Sequence, residues 1–337
     1  MTVYNDCQEM GERMSQSRSE MRRPSKKPSK KPKKKRNGLK IFLIIVLVLF
    51  IALGLFVWKI YSDVAGTTEK IHKDVKTEEV RESSVDINKK DPFSILMLGV
   101  DTGDLGRTEQ GRSDTMMVMT VNPTTNKATM VSIPRDTRTE IVGHGTTDKI
   151  NHAYAFGGTA MSVNTVQSML DIPIDYYVEV NMKGLQDIVD AVGGVQVTSP
   201  LTFTYGGYNF TEGETTSLDG KAALAYSRMR YEDPAGDNGR QERQRQIIQA
   251  TVEKVASLST ISNYQDILGS LENNMQTNLE FDDMVKIFNN YRSAAGNIQQ
   301  EQLVADGTTI DGIYYGIVPD GEMSRVTELL KEQLELN

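Results

Sequence analysis

Eighteen consecutive residues, Ile41 to Trp58 (IFLIIVLVLFIALGLFVW), carry neither a charge nor an amide. Wound as an α-helix, a run of this length reaches roughly 27 Å, close to the hydrocarbon thickness of a bilayer. A buried core helix is usually shorter and shows a polar stripe. A cleaved signal peptide would have a shorter apolar core and a small-residue cleavage site, for which Ser62-Asp63-Val64-Ala65-Gly66 is a poor match. The run is therefore read as an uncleaved transmembrane anchor over residues 41–58.

Its flanks give it a direction. Residues 1–40 hold 13 Lys/Arg against 4 Asp/Glu, with Lys26, Lys27, Lys30, Lys31, Lys33, Lys34, Lys35, Arg36 and Lys40 crowded before the apolar run. Lys59 stands almost alone after it. The positive-inside bias keeps residues 1–40 in the cytoplasm and sends residues 59–337 outside, as a single-pass type II protein of the cell membrane. The net charge of −7 thus hides a basic head and an acidic body. The head also carries Pro24, Pro28 and Pro32 among serines, a low-complexity tract that builds no core. Its expected partner is the anionic inner leaflet. Nucleic acid is the sharper alternative, not expected because no folded reader stands beside the tail. One cysteine, Cys7, excludes an intrachain disulfide framework, and three histidines (His72, His144, His152) are too few for a His-rich metal centre.

Residues 59–90 are polar and read as an extracellular stalk, and residues 91–337 as the folded body. Phe93–Val100 is a short apolar run that delivers Asp101 at its end, like a buried strand. Thr115–Val121 and Ala128–Ile133 are two more such runs, joined by a stretch of hairpin-turn composition from Asn122 to Lys127. Helices are expected from Asn151 to about Leu170, near Met182–Val192, over Ala222–Tyr226, from about Arg240, over Phe281–Tyr291 and over Ser324–Leu334. Strands are expected at Tyr176–Asn181, Val195–Val197 and Gly312–Val318. Strands mixed with helices predict a layered α/β fold rather than an all-β or all-α one. On the helix from Arg240, Arg240, Arg243 and Gln244 share one face by their i, i+3, i+4 spacing, while Ile247, Ile248, Val252 and Val255 form a core stripe.

The acidic body keeps its arginines in a few places. Arg107, Arg112, Arg135, Arg138, Arg228, Arg230, Arg240 and Arg243 lie in or beside expected loops and at one helix start, with Asp101, Asp114, Asp136 and Asp237 in the same segments. Two readings compete. The pairs can be structural, holding loops down. They can also form a site for a phosphate-rich substrate, which a guanidinium fork matches in a bidentate way. In the second reading Asp101 and Asp114 hold a hard divalent cation, since magnesium takes one or two carboxylates plus phosphate oxygens and water. Ser113 and Ser132 lack a local base pattern and read as turn and strand-end residues. His152 opens a helix and reads as a packing or capping residue. Gly193-Gly194 reads as a turn, and Tyr205-Gly206-Gly207-Tyr208 as either a hairpin tip or a sugar-stacking edge.

Seven ordered blocks resemble the signatures of the LytR-CpsA-Psr family: Leu98-Gly99-Val100-Asp101, Gly111-Arg112-Ser113-Asp114-Thr115-Met116, Ser132-Ile133-Pro134-Arg135-Asp136, Lys149-Ile150-Asn151-His152-Ala153-Tyr154, Gly193-Gly194-Val195, Tyr226-Ser227-Arg228-Met229-Arg230, and Asp237 to Gln244 (DNGRQERQ). The resemblance covers residues 91 to about 258 and, more loosely, the rest. It implies a layered α-β-α sandwich around a mixed β-sheet, with an apolar channel for a polyprenyl chain. The implied activity is a phosphotransferase of Gram-positive wall assembly, moving a teichoic acid, capsular or related glycopolymer from an undecaprenyl-pyrophosphate carrier to the muramic acid 6-hydroxyl of peptidoglycan. Carried over by position, Asp101 and Asp114 would bind magnesium (or manganese). Arg112, Arg135, Arg228, Arg230, Arg240, Arg243 and Gln244 would hold the pyrophosphate, with Lys149 and Asp237 beside it. Asp101 and Asp136 are the candidates for a general base. Two other functions compete: a membrane-anchored module that binds polyprenyl phosphates or polyanions without turnover, and a transcriptional attenuator-type regulator of cell-wall genes working through the basic tail.

Overall fold

The structure is a computed structural model in which the chain divides into two units, Met1–Gly54 and Leu55–Asn337. It describes residues 55, 58–59, 62–63, 66–67, 69–81, 83–101, 111–257, 272 and 274–336, all in the second unit. The basic tail and most of the expected anchor over 41–58 lie outside the described residues. Among the described residues, no helix is long and apolar enough to cross a membrane.

The apolar runs after Pro92 form β1 (Phe93–Val100), β2 (Ser113–Asn122) and β3 (Lys127–Ser132). Asn122 makes the hairpin turn expected between the last two, its Oδ1 accepting from the amides of Thr124 and Thr125. Asn126 closes that turn at φ 52°, in the left-handed region that asparagine tolerates. A small hairpin follows, β4 (Arg138–Ile141) with β5 (Thr146–Lys149). Its polar sequence gave no strand signal.

Helix α1 (His152–Leu170) is kinked where Gly157 and Gly158 leave helical geometry. Next come β6 (Tyr176–Asn181) and α2 (Met182–Ala191), whose first turn is capped by Asn181 accepting from the Gly184 amide at 2.8 Å. Gly193 and Gly194, at φ 80° and 82°, make the expected turn into β7 (Val195–Thr198). The hairpin of β8 (Phe203–Tyr205) and β9 (Tyr208–Phe210) has Gly206-Gly207 at its tip, and β10 (Thr215–Leu218) returns to pair with β7. Helices α3 (Gly220–Arg228) and α4 (Asp237–Ser257) follow, then β11 (Met275–Thr277), α5 (Phe281–Tyr291), β12 (Ile298–Gln302), β13 (Asp306–Ile310), β14 (Ile313–Ile317) and α6 (Asp320–Gln333).

The main sheet has the order β11-β6-β1-β2-β3-β12 and is mixed: β1 runs parallel to β6 and antiparallel to β2, and β3 runs parallel to β12. Strand alternation sorts its side chains to two faces. Leu96, Leu98, Val100, Met116, Val118 and Val131 pack with Tyr154, Val163 and Val166 of α1 and with Val326 and Leu330 of α6. On the other face Phe93, Met117, Met119 and Met130 meet Tyr291 of α5 and Ala294 after it, with Ile248 of α4 against the same cluster. Each side chain taken fully out of water here contributes about 1.5–3 kcal/mol. The result is the three-layer arrangement expected.

This topology also sets the position of the functional edge. Parallel β1 and β6 end on the same side of the sheet, β2 begins there, and β3 ends there. From Ile71 onward the stretch read as stalk lies along the body. Ile71 and Ile87 are buried, the Lys73 amide donates to Thr277 O at 2.8 Å, and Arg81 Nε donates to Asp175 at 2.6 Å. The polar composition concealed this course because a few apolar pegs and one half-buried ion pair suffice to hold it.

Candidate active site

Asp101 follows the last residue of β1, and its Oδ1 accepts from the Arg112 amide at 2.8 Å, which fixes the carboxylate at the rim. Asp114 is the second residue of β2. Beyond β3, Ile133 is still tied to the sheet through Met116 O (2.9 Å), and Pro134 then turns the chain. Arg135 thereby reaches back, its Nη1 donating to Asp114 Oδ1 at 2.6 Å. From the helical layer, α3 ends on Arg228, Arg230 follows, and α4 opens with Asp237 and Arg240. Asp237 lies 2.7 Å from Arg240 Nη2 and 3.5 Å from Arg230 Nε, so it holds the two guanidiniums together.

These groups face one cavity of about 290 Å³, lined by Asp101, Asp114, Arg135, Arg228, Arg230, Arg240 and Gln244, with Met182, Tyr205, Ser227 and Tyr231 completing the wall. Four guanidiniums against two carboxylates leave the cavity positive. Burial pulls Arg240 below the ordinary guanidinium value; Asp237 opposes this, while Arg135 and Arg230 add to it. Burial acts the same way on Arg135, but the hydrogen bond and charge of Asp114 outweigh it and hold this guanidinium above its ordinary value. Both remain cations, as arginine does in proteins. The Nε atoms of Arg135 and Arg240 and the Oε1 of Gln244 are shielded from solvent and have no hydrogen-bond partner among the described residues. Shielded donors on crowded cations are costly unless an anion accepts from them.

A second cavity, about 220 Å³, opens beside the first. Its floor is the sheet face of Met97, Gly99, Val178 and Val180, and its sides are Leu185 and Ile188 of α2 and Ile247, Ile248 and Val252 of α4. Met182, Ser227, Arg228 and Gln244 line both cavities. The sequence could not mark this lining, because an aliphatic cavity wall and a core stripe read alike. Of the stripe expected on α4, Ile247 is buried, Ile248 and Val252 face the cavity, and Val255 is exposed.

Most of the expected residues converge, and some do not. Arg243 corrects the one-face reading of α4. It is wholly buried, with Nε donating to Tyr226 O at 3.1 Å, Nη2 to Met229 O, and Nη1 to Asp233. Residues 243 and 244 are about 100° apart around a helix, enough to send one into the α3 packing and the other into the cavity. Arg243 clamps the loop that carries Arg228 and Arg230, and Gly239 lets Asp233 close on it, since a Cβ there would stand 1.9 Å from Asp233 Oδ2. Arg112 is exposed at the rim through its backbone contacts to Asp101. Asp136 and Lys149 pair with each other at 2.7 Å behind Arg135 and do not line the cavity. Asp237 sits just outside the wall. Arg138 stacks over Tyr315 at 5.8 Å, and Arg107 lies outside the described residues. Ser132 accepts from buried Arg245 at 2.8 Å, and His152 Nδ1 is 2.7 Å from Asp148, so both have structural partners. Tyr205 and Tyr231 were not expected in the site; the Tyr-Gly-Gly-Tyr hairpin was the one signal for the first.

The chain belongs to the LytR_cpsA_psr family, whose model matches residues 55–332. It is 52% identical over 300 residues to the polyisoprenyl-teichoic acid–peptidoglycan teichoic acid transferase TagU of Enterococcus faecalis, covering 88% of this chain and 98% of that one. Among solved structures it is similar to an Enterococcus faecalis protein described as a transcriptional regulator (TM-score 0.68, 46% identity, 75% of this chain and 92% of that one). It is also similar to TagT bound to LIIa-WTA (TM-score 0.66, 33% identity, 77% of this chain and 97% of that one).

Proposed function

We propose that the chain is a phosphotransferase that moves teichoic acid from a polyprenyl-pyrophosphate carrier onto peptidoglycan. The observation that carries this reading is the joined pair of cavities: an arginine-lined one sized for a diphosphate, and an aliphatic one for the lipid tail, sharing Arg228 and Gln244. The relatives named as teichoic acid transferases over nearly the whole chain support the same activity.

In this reading the diphosphate sits among Arg135, Arg228, Arg230 and Arg240, whose charges offset the charge that develops on the departing lipid phosphate. Phosphoryl transfer of this kind relies on positioning and electrostatic stabilisation and needs no covalent nucleophile. Asp101 and Asp114 suit magnesium, or manganese: among the described residues no cluster of three or more His, Cys, Asp or Glu is available, and two carboxylates plus substrate oxygens is a donor set magnesium accepts. When bound, the ion adds charge neutralisation at the phosphates. Arg135 occupies one oxygen of Asp114 and so fixes the orientation of the other. Of the two base candidates, only Asp101 lines the cavity. We place the anchor at residues 41–58, the body outside the cell membrane, and the accepting hydroxyl at position 6 of muramic acid.

The test is the full chain in detergent or nanodiscs with a lipid-pyrophosphate teichoic acid and peptidoglycan oligosaccharides. The expected result is magnesium-dependent polymer–glycan product that disappears with Asp114→Ala. Tight donor binding without product would leave a binding module instead. Deleting residues 1–40 while keeping the apolar run tests a regulatory role of the tail: full rescue of a wall defect removes it.

A further inference from the structure

A third cavity lies across the sheet from the aliphatic one, on the α1 side, and the function above does not use it. It measures about 280 Å³ and is lined by residues that include His72 and Lys73 before β1, Val100 at the end of β1, Glu179 and Asn181 on β6, and Asn274 and Gln276 at β11. Val100 directly precedes Asp101, and Asn181 directly precedes Met182. Only the strand ends therefore separate this cavity from the arginine-lined one. Glu179 is 91% buried: Tyr154 Oη donates to its Oε1 at 2.8 Å and Thr159 Oγ1 to its Oε2 at 2.5 Å, both from the kinked start of α1. A carboxylate kept this deep in a cavity wall, with two of its lone pairs used among the described residues, has capacity to accept further hydrogen bonds.

The charges here cancel. Lys70 pairs with Glu272 at 2.8 Å, Lys73 donates to Gln276 at 3.2 Å, and with Glu179 the two lysines face two glutamates. Amides and balanced charges suit a neutral, polyhydroxylated ligand, where the arginine cavity suits an anion. Geometry then fixes the role. In phosphoryl displacement the incoming and departing oxygens lie roughly in line. The departing lipid phosphate leads toward the aliphatic cavity between the sheet, α2 and α4, so the incoming hydroxyl approaches from the opposite, α1 side of the strand ends.

We infer that this cavity is the subsite for a sugar residue of the acceptor glycan, with Glu179 accepting from its hydroxyls and the second amide hydrogens of Asn181 and Asn274, whose side chains already bond each other at 2.9 Å, donating to its oxygens. The inference rests on the transfer reading above. Glu179 is a positioning residue here, two residues short of the strand end and away from the reacting phosphate.

The experiment compares the full-length protein with Glu179→Gln and Gln276→Trp, using the lipid-pyrophosphate donor and a peptidoglycan oligosaccharide of defined length. The second variant fills the cavity from the sheet edge and leaves the buried carboxylate in place. The expected result is an acceptor KM raised at least tenfold in both variants, with the donor Kd moving less than twofold. A wild-type acceptor KM in Gln276→Trp overturns the proposal, and so does a rise in donor Kd that matches the rise in acceptor KM. A wild-type protein that binds donor but transfers to no glycan defeats the transfer reading itself, an outcome separate from these.

Discussion

The arginine-lined and aliphatic cavities share a wall and differ in almost everything else. The first is built from loop and strand-end residues locked by specific partners, Asp114 with Arg135 and Asp237 with Arg240. The second is built mostly from aliphatic side chains of strand and helix interiors. Where a site must hold charge against burial, each residue type is dictated; where it must only exclude water, any aliphatic of suitable volume serves.

Substitutions test that contrast, and the largest effect is expected from the arginine that belongs to neither cavity. Arg243→Ala leaves Asp233 buried without its cation, along with the carbonyls of Tyr226 and Met229, and should cost about 3–5 kcal/mol of stability by denaturant unfolding. Arg240→Ala should instead lower transfer by about 10²–10³-fold, comparable to loss of one preorganised donor, with unfolding little changed. If the two arginines gave the same phenotype, the distinction between clamp and site would fail. Ile248→Trp fills the aliphatic cavity. It should weaken a long-chain donor about tenfold and a short-chain donor much less, seen as a split in donor KM between the two.

The smallest effect concerns the Asp148–His152 pair at the start of α1. Burial raises the Asp148 carboxyl, but the hydrogen bond from His152, the Lys149 amide and the His152 charge outweigh it and hold the group below its ordinary value. A folded-state value below the unfolded one gives stability that is present above about pH 4 and lost as pH falls through the depressed value. Asp148→Asn should therefore narrow the Tm difference between about pH 6 and pH 3. The change should be under about 1 kcal/mol, because the pair is partly exposed.

The same contrast explains what could be read from the sequence. The strands ending at Asp101 and near Arg135, the hairpin at Asn122–Lys127 and the helix at Phe281–Tyr291 all follow from local patterns, and each stands where expected. Asp114, Arg135, Arg228 and Arg240 could be grouped because their blocks fall at loop ends, where topology gathers them. Arg243 could not be sorted from Arg240, since the offset of about 60° that three residues make around the helix decides between cavity and packing. The polar hairpin of β4 and β5 and the course of residues 71–90 were invisible for a different reason: tertiary contacts specify them, and periodicity does not. The aliphatic cavity was visible only as a stretch of core.

Met182, Ser227, Arg228 and Gln244 border both chambers, so an amphiphile meets the protein as a single object. For the proposed donor, seating the phosphate end would leave the tail facing the second chamber at an effective concentration of roughly millimolar, so that the two halves reinforce each other without any added contact. Detergents with anionic heads would exploit the same coupling and compete with the proposed lipid donor during purification.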